Sequence, residues 1–364
     1  QQAKIFSLFL NRYLYASPRL ILNLFNQIKS IDQFITNYHS IQFQFNLKLP
    51  DLLEKAKQFD FEYELALLKK HDISLLFYDD VNYPTLLKEI SDPPLVLFYK
   101  GNLSLIHKEK IAIVGPRKAS EYGSKVAEYF SQQLSTYFVI ISGLADGIDA
   151  IAHKQCLKHA KETIAVIGTG LTTAYPNKHF SLQQDIARNG LLLSEFPLDT
   201  PPLKQHFPQR NRLISGLSNG VLVCEASLKS GSLITAHFAL DQNKEVYAVP
   251  GPIFNDTSKG VHKLIQDGAK CVHSAGDILE DFNKSQLIES PTLFQNKASN
   301  VEQKDLSLSN NETIVFNSLT SQPVNIEELV ELSTLSIHQL LPILSMLEIK
   351  GLISQYPGKN YSKA

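Results

Sequence analysis

The chain has 364 residues, 43% of them apolar and 20% charged, with a net charge of −1. That length holds two or three domains with real cores, and that charge excludes a global polyelectrolyte attraction to nucleic acid, so any phosphate binding must come from a local basic patch. Cys156, Cys224 and Cys271 are widely spaced with no CxxC, which speaks against a disulfide framework or a zinc site and fits a reducing, cytoplasmic setting; no apolar run reaches the ~18 residues that cross a bilayer.

Residues 1 to about 60 read as a small helical module. Leu8, Leu10 and Leu14, then Leu20, Leu22, Leu24, Phe25, Ile28 and Ile31, recur at helical spacing. Ser17 and Pro18 form a break with the chemistry of an N-cap and a first helical position. The short apolar run 5–10 is broken by Asn11 and Arg12, so a secretory leader is not expected. The module lacks the hairpin glycines of a helix-hairpin-helix reader of DNA backbones, and a packing role is expected for it. From Ile73 short apolar runs alternate with turn signals at Asp79-Asp80, Tyr83-Pro84, Asp92-Pro93-Pro94 and Gly101-Asn102.

A regular alternation then begins. Apolar strands are expected over 111–114, 138–141, 164–167, 191–193, 221–223 and 246–249, and helices over 124–134, 148–158, 180–187 and 233–240. Continuous apolar strands with intervening helices predict a parallel sheet covered on both faces. This is the doubly wound α/β class, whose ligands sit at the carboxyl ends of the strands. Residues 283–308 turn polar and read as a linker. A closing module over 309–364, with helices over 311–319, 326–332 and 337–349 and a hairpin-like tail, describes a winged helix. Between Asp305 and Ala364 there are six Asp/Glu against three Lys/Arg. A winged helix that docks on DNA needs a basic face, so this one is read as a protein-contact or regulatory module.

The most informative stretch is 207–236, FPQRNRLISGLSNGVLVCEASLKSGSLITA. It sets Arg210, Asn211 and Arg212 before an apolar strand, then opens a Lys229-Ser230-Gly231-Ser232 loop onto a helix. A small-residue loop at a helix N-terminus offers free N–H groups and a positive dipole end, a ready site for phosphate. Lys204 to Lys244 carries five Lys/Arg against two Asp/Glu, an excess of three positive charges on a nearly neutral chain. The other strand ends add Gly115 with Arg117, whose fork matches phosphate, then 142–153, SGLADGIDAIAH, and then Gly168 and Gly170 with Tyr175 and Lys178. Asp146 or Asp149 can cap the helix after Gly147. Asp149 and His153 lie four apart, but with no third ligand they do not make a metal site. Gly168 and Gly170 begin a GxGxxG that fails at Thr173, so no nicotinamide or flavin cofactor is inferred. Tyr175 can stack on a base or merely pack. Glu225 is read as orienting Arg210 or Arg212 through a buried pair, because no nearby His, Ser or second carboxylate completes a hydrolytic set.

These strand-end motifs, in this order and spacing, resemble the DNA-processing protein A family, DprA, also called Smf. The resemblance rests on GPRKASEYG (115–123), SGLADGIDAIAH (142–153), IGTGLTTAYP (167–176), SEFPLDTPP running into FPQRNRLISGLS (194–218), KSGSLITA (229–236) and VPGPIFNDTSKGVHKLIQDGA (249–269), and covers about 73–282. It implies an extended Rossmann-like domain over 61–282 that binds single-stranded DNA. It further implies a homodimer that loads a RecA-type recombinase onto that strand, mainly in natural transformation, and not an enzyme; from the residues themselves no cofactor, metal or membrane is expected. The family's strand-binding positions fall on Arg117 and Lys178. With them the site is expected to use Gly115, Arg210, Asn211, Arg212, Lys229, Ser230, Gly231 and Ser232. The chain departs from the family at Pro116, usually Ser, at His179, often Asn, and at Thr172-Thr173. Two other readings compete. One is a nucleotide-binding enzyme that hydrolyses N-glycosidic bonds with an Arg/Glu pair, although its PGGxGTxxE signature is absent. The other is a transcription regulator with the winged helix as DNA reader, against which the acidic balance argues.

Overall fold

The computed structural model describes residues 1–14, 18–45, 51–284, 309–320, 324–350, 352–356 and 359–363. The turn expected around Ala16 and Ser17, residues 285–308 and the Gly351 break lie outside them. Two compact units are present, Gln1–Glu289 and Ser290–Ala364.

The first unit is built on a nine-stranded sheet. In chain order the strands are β1 Ser74–Phe77, β2 Val96–Gly101, β3 Lys110–Val114, β4 Val139–Ser142, β5 Thr163–Val166, β6 Leu191–Ser194, β7 Gly220–Val223, β8 Glu245–Ala248 and β9 Lys270–Cys271. Their spatial order is β1-β2-β6-β5-β4-β3-β7-β8-β9. From β6 to β9 every pairing is parallel, while β1–β2 and β2–β6 are antiparallel. Every residue of β3 to β7 is buried, which is why these strands read as unbroken apolar runs: helices cover both faces. The antiparallel pair β1–β2 extends the sheet beyond β6, where the sequence pattern over 74–101 predicts no strand.

Helices Gln2–Tyr13, Pro18–Gln27, Ile31–Thr36, Tyr38–Phe45, Leu52–Lys57 and Phe61–Lys70 make the N-terminal module. Its core is aromatic, with Phe6, Phe9 and Phe34 in mutual ring contact and fully buried. It packs within the first unit: Asn11 Nδ2 donates to the Glu195 carbonyl at 2.7 Å, and Lys4 pairs with Asp80 at 2.6 Å.

The second unit has helices Asn310–Ser318, Ile326–Ser333 and Ile337–Ile349 and a three-stranded sheet of Val324–Asn325, Ile353–Tyr356 and Asn360–Lys363. Capping boxes at Ser309/Glu312 and Ser336/Gln339 start the first and third helices. Val315, Leu329, Leu340, Leu344 and Leu347 form its core. This is a winged helix. Among the described residues no single helix is long and apolar enough to cross a membrane.

Candidate functional site

The sheet reverses its winding between β3 and β7. Chain leaving β3 goes on to β4 on one side, and chain leaving β7 goes on to β8 on the other. The carboxyl ends of two such strands diverge and leave a crevice. Here it has a volume of about 540 Å³ and is walled by Gly115 and Arg117 after β3, by Lys204, Phe207, Arg210 and Asn211 before and on helix His206–Leu217, and by Ser230, Gly231 and Ser232 after β7. A side lobe of about 420 Å³ shares Arg117, Tyr175 and Phe207 with it and adds Gly143, Asp146 and Asn177. The crevice therefore draws on three separate crossover turns.

Each wall has a local cause. Ser120 caps helix Glu121–Leu134, its hydroxyl accepting from the Gly123 N–H at 2.9 Å. That fixes where the Gly115-to-Ala119 loop must end. Gly147 sits at φ +75°, a conformation a side chain resists, and a Cβ there would collide with the Pro116 carbonyl. The loops after β3 and β4 can touch because this residue is glycine. Ser230, Gly231 and Ser232 lead into helix Ser232–Asp241, with the Ser230 and Ser232 hydroxyls 2.7 Å apart. A Cβ on Gly231 would meet nothing within 4 Å, so this helix N-terminus faces open space that an anion can enter.

The cations divide into two kinds. Arg117 is exposed, with no acidic side chain paired to it among the described residues, and its guanidinium lies 4.9 Å from the centre of the Phe207 ring. Phe207 in turn lies 5.3 Å from Tyr175, the rings tilted by 40°. Lys204 is exposed on the same crevice. Lys229 is exposed beside Ser230 but off the crevice wall, and Lys178 is exposed and pairs at 2.8 Å with Asp146, which lines the side lobe. His179 holds the same carboxylate oxygen at 3.2 Å and contacts the Leu144 carbonyl through Nδ1 at 3.1 Å.

Arg210 and Arg212 are buried, at 3% and 2% exposure. Arg210 Nη1 donates to the carbonyls of Gly143, at 2.6 Å, and Val166, and Nε donates to Asn211 Oδ1 at 3.2 Å. Burial lowers its pKa to about 10, opposed by the buried Asp149 carboxylate. Asp149 accepts from the Gly143 N–H at 3.2 Å; burial pushes its pKa up and Arg210 pulls it back. This pair ties the ends of β4 and β5 beneath the crevice. Arg212 points elsewhere, to Asp92 at 3.1 Å and to Glu195. Two residues apart on a helix means about 200° of rotation, so the two arginines cannot both face the crevice, and Arg212 is not part of it.

Glu225 does not orient either arginine. It is buried, and its Oε2 accepts from the Ser120 N–H at 3.0 Å. Its role is to join the β7 end to the β3 loop. Nor do Asp146 and Asp149 cap their helix, which begins at Gly147 without a side-chain cap. Asp149 and His153 do not meet: His153 Nδ1 contacts Thr163 Oγ1 at 2.8 Å, and burial holds its pKa down at about 3.

Residues 74–283 match the model described as DNA recombination-mediator protein A, and 301–359 match the DprA winged helix domain. The chain belongs to the DNA recombination-mediator protein A family. It is 50% identical over 200 residues to DNA processing protein DprA of Streptococcus pneumoniae, covering 55% of this chain and 71% of that one. It is 40% identical over 301 residues to Protein Smf of Escherichia coli, covering 82% and 79%. Among solved structures it resembles that of S. pneumoniae DprA at TM-score 0.65 and 39% identity, covering 77% of this chain and 98% of that one. It also resembles Helicobacter pylori DprA, described for its single-stranded DNA binding mode, at TM-score 0.53 and 32% identity, covering 58% and 96%.

Two residues that line the crevice, Lys204 and Phe207, are not among the expected site residues. The signal for Phe207 was an aromatic immediately before the Pro-Gln-Arg-Asn-Arg run; the signal for Lys204 was a cation on the chain's approach to the same helix.

Proposed function

We propose that the β3/β7 crevice holds a single strand of DNA and that the chain acts as a recombination mediator through it. One observation carries this: Arg117, Lys204 and the Ser230–Ser232 helix start converge from separate loops around the half-buried ring of Phe207 and the exposed ring of Tyr175. Cations and helix dipole take phosphates, and the rings take unpaired bases, which any sequence supplies. A duplex keeps its bases stacked inside and offers the rings nothing. The H. pylori relative described as binding single-stranded DNA supports the same reading. Lys178 and Lys229 would extend the path at its two ends, and Gly115 and Asn211 shape its floor. Arg210 braces the crevice from below through its bonds to the Gly143 and Val166 carbonyls.

The reading is of a binder rather than a catalyst. The carboxylates nearest the crevice are committed: Asp149 to Arg210, Asp146 to Lys178 and His179, Glu225 to the Ser120 N–H. Hydrolysis of an N-glycosidic bond would need Glu225 free beside Arg210. Handing the strand to a RecA-type recombinase, and doing so as a homodimer in the cytoplasm, complete the proposal on the strength of the family.

The test compares oligo-dT with a duplex of mixed sequence across a salt series, by fluorescence anisotropy. With about four phosphates neutralised, log K for the single strand falls with log[salt] at a slope near −3. Equal affinity for the duplex, or a slope near zero, would overturn the proposal. Recombinase loading is tested separately, by whether the protein lets a RecA-type recombinase displace a single-strand-binding protein from DNA.

A further inference from the structure

The winged-helix unit carries a surface that the crevice does not explain. Its third helix, Ile337–Ile349, follows Ile326–Ser333 as the second helix of a helix-turn-helix, the position from which such folds usually read DNA. Between Ile326 and Ile349 there is no lysine and no arginine, and there are four glutamates, Glu327, Glu328, Glu331 and Glu348. All four are exposed. The three lysines described in this unit lie outside that pair of helices or at its end, and Lys350 is tied to Glu312 at 2.7 Å.

What the third helix offers instead is apolar. Leu340, Leu344 and Leu347 point into the core. On the solvent side Ile337 and Leu341 make one row, four residues apart, at 46% and 40% exposure. Pro342 and Met346 make a second row, again four apart, with Met346 at 48%. Leu332, at 54%, lies in the last turn of the preceding helix. Rows at this spacing are neighbours on a helix surface, and exposed apolar side chains concentrated on one element mark a contact surface. Methionine adapts to whatever shape is set against it.

We propose that this face of the winged helix docks a basic amphipathic helix of a partner protein. Its apolar side would lie on Ile337, Leu341 and Met346, and its lysines or arginines would meet the exposed glutamates of the same two helices. The charges select among the possible occupants. A nucleic acid or an anionic membrane would be repelled by the glutamates. A second copy of the same face would set glutamate against glutamate. Residues 285–308 of the chain itself carry Lys297 and Lys304 against Glu289, Glu302 and Asp305, so they are no basic complement. A cationic apolar segment is the ligand whose charge and polarity both fit.

The experiment uses the full chain and two labelled peptides of about 18 residues, long enough to hold a helix, one patterned in leucine and lysine and its twin in leucine and glutamate. By anisotropy the leucine–lysine peptide binds and its twin does not. The paired substitution Leu341→Ser and Met346→Ser weakens the complex about tenfold, as loss of central apolar contacts does. Glu328→Lys with Glu331→Lys weakens it further at low salt than at high salt. Both variants keep their thermal transitions and their affinity for oligo-dT. The proposal falls if neither peptide binds or if both bind alike. It falls too if Leu341→Ser/Met346→Ser leaves the leucine–lysine complex unchanged, or if that variant instead loses self-association, duplex DNA binding or adsorption to anionic vesicles.

Discussion

Replacing Arg210 by Met separates the two kinds of cation at the crevice. In the folded chain Arg210 bridges the Gly143 and Val166 carbonyls and stands against the buried Asp149. Methionine fills much of the space but leaves two buried carbonyls without a donor and one buried carboxylate without its cation. Breaking a buried pair from one side costs about 3–5 kcal/mol, a large share of the roughly 5–15 kcal/mol that holds a domain together. Adding Asp149→Asn removes the orphaned charge, so the double variant is more stable than Arg210→Met alone. The pH dependence has a definite sign. Asp149 is a carboxyl whose folded pKa is already raised by burial; without Arg210 it rises further. A raised carboxyl pKa means the folded state holds its proton longer than the unfolded one, so stability is lost as pH climbs from the unfolded value, about 3.9, to the folded one. The cost of Arg210→Met therefore shrinks on acidification toward pH 4 and is full at pH 8. Urea unfolding of wild type, both singles and the double at these two pH values reads all of this. A loss below about 1 kcal/mol at pH 8 together with a large loss of DNA affinity would refute the reasoning, for it would make Arg210 a contact rather than a brace.

The exposed cations behave in the opposite way. Arg117→Ala and Lys204→Ala each weaken oligo-dT binding and reduce the salt slope by about 0.7, the single-strand value per phosphate, with unfolding unchanged. Phe207→Ala costs about 1–3 kcal/mol of binding through lost stacking and leaves the salt slope where it was; a changed slope would show that Phe207 acts by positioning Arg117. Gly147→Val strains a residue at φ +75° and drives its Cβ into the Pro116 carbonyl, so it lowers stability by about 2 kcal/mol or more and weakens binding only as far as the β3 loop moves, measured by urea unfolding and anisotropy on the same preparation.

The parallel half of the sheet was legible because β3 to β7 are buried on every residue, and burial on both faces leaves no polar position to interrupt the apolar run. The strands β1 and β2 lacked that signature. Val96–Gly101 begins buried and ends exposed at Gly101, and Ser74–Phe77 begins exposed at Ser74, so neither shows a clean strand period; β2 becomes sheet by pairing with β6, and β1 by pairing with β2. The crevice was legible in part for the same reason: residues directly after buried strands must emerge at the carboxyl edge, which placed Gly115, Arg117 and Ser230–Ser232 together. Residues on a helix carry no such guarantee. Arg210 and Arg212 look alike in a list of charges, yet about 200° of helical rotation sends one under the crevice and the other to Asp92 and Glu195.

That division explains how a chain of net charge −1 can form a phosphate site. A cation serves a polyanion only if its own protein has not neutralised it. Arg212 is spent on two carboxylates and Arg210 on Asp149 and two carbonyls, so both fix geometry. Arg117 and Lys204, without acidic partners among the described residues, are the cations left to supply the attraction in the proposed site. Lys178 stands between these cases, since its Asp146 partner is itself held by His179. A phosphate must compete with Asp146 for that lysine. Asp146→Asn should therefore tighten oligo-dT binding and steepen its salt dependence, and an affinity left unchanged would place Lys178 outside the strand's path.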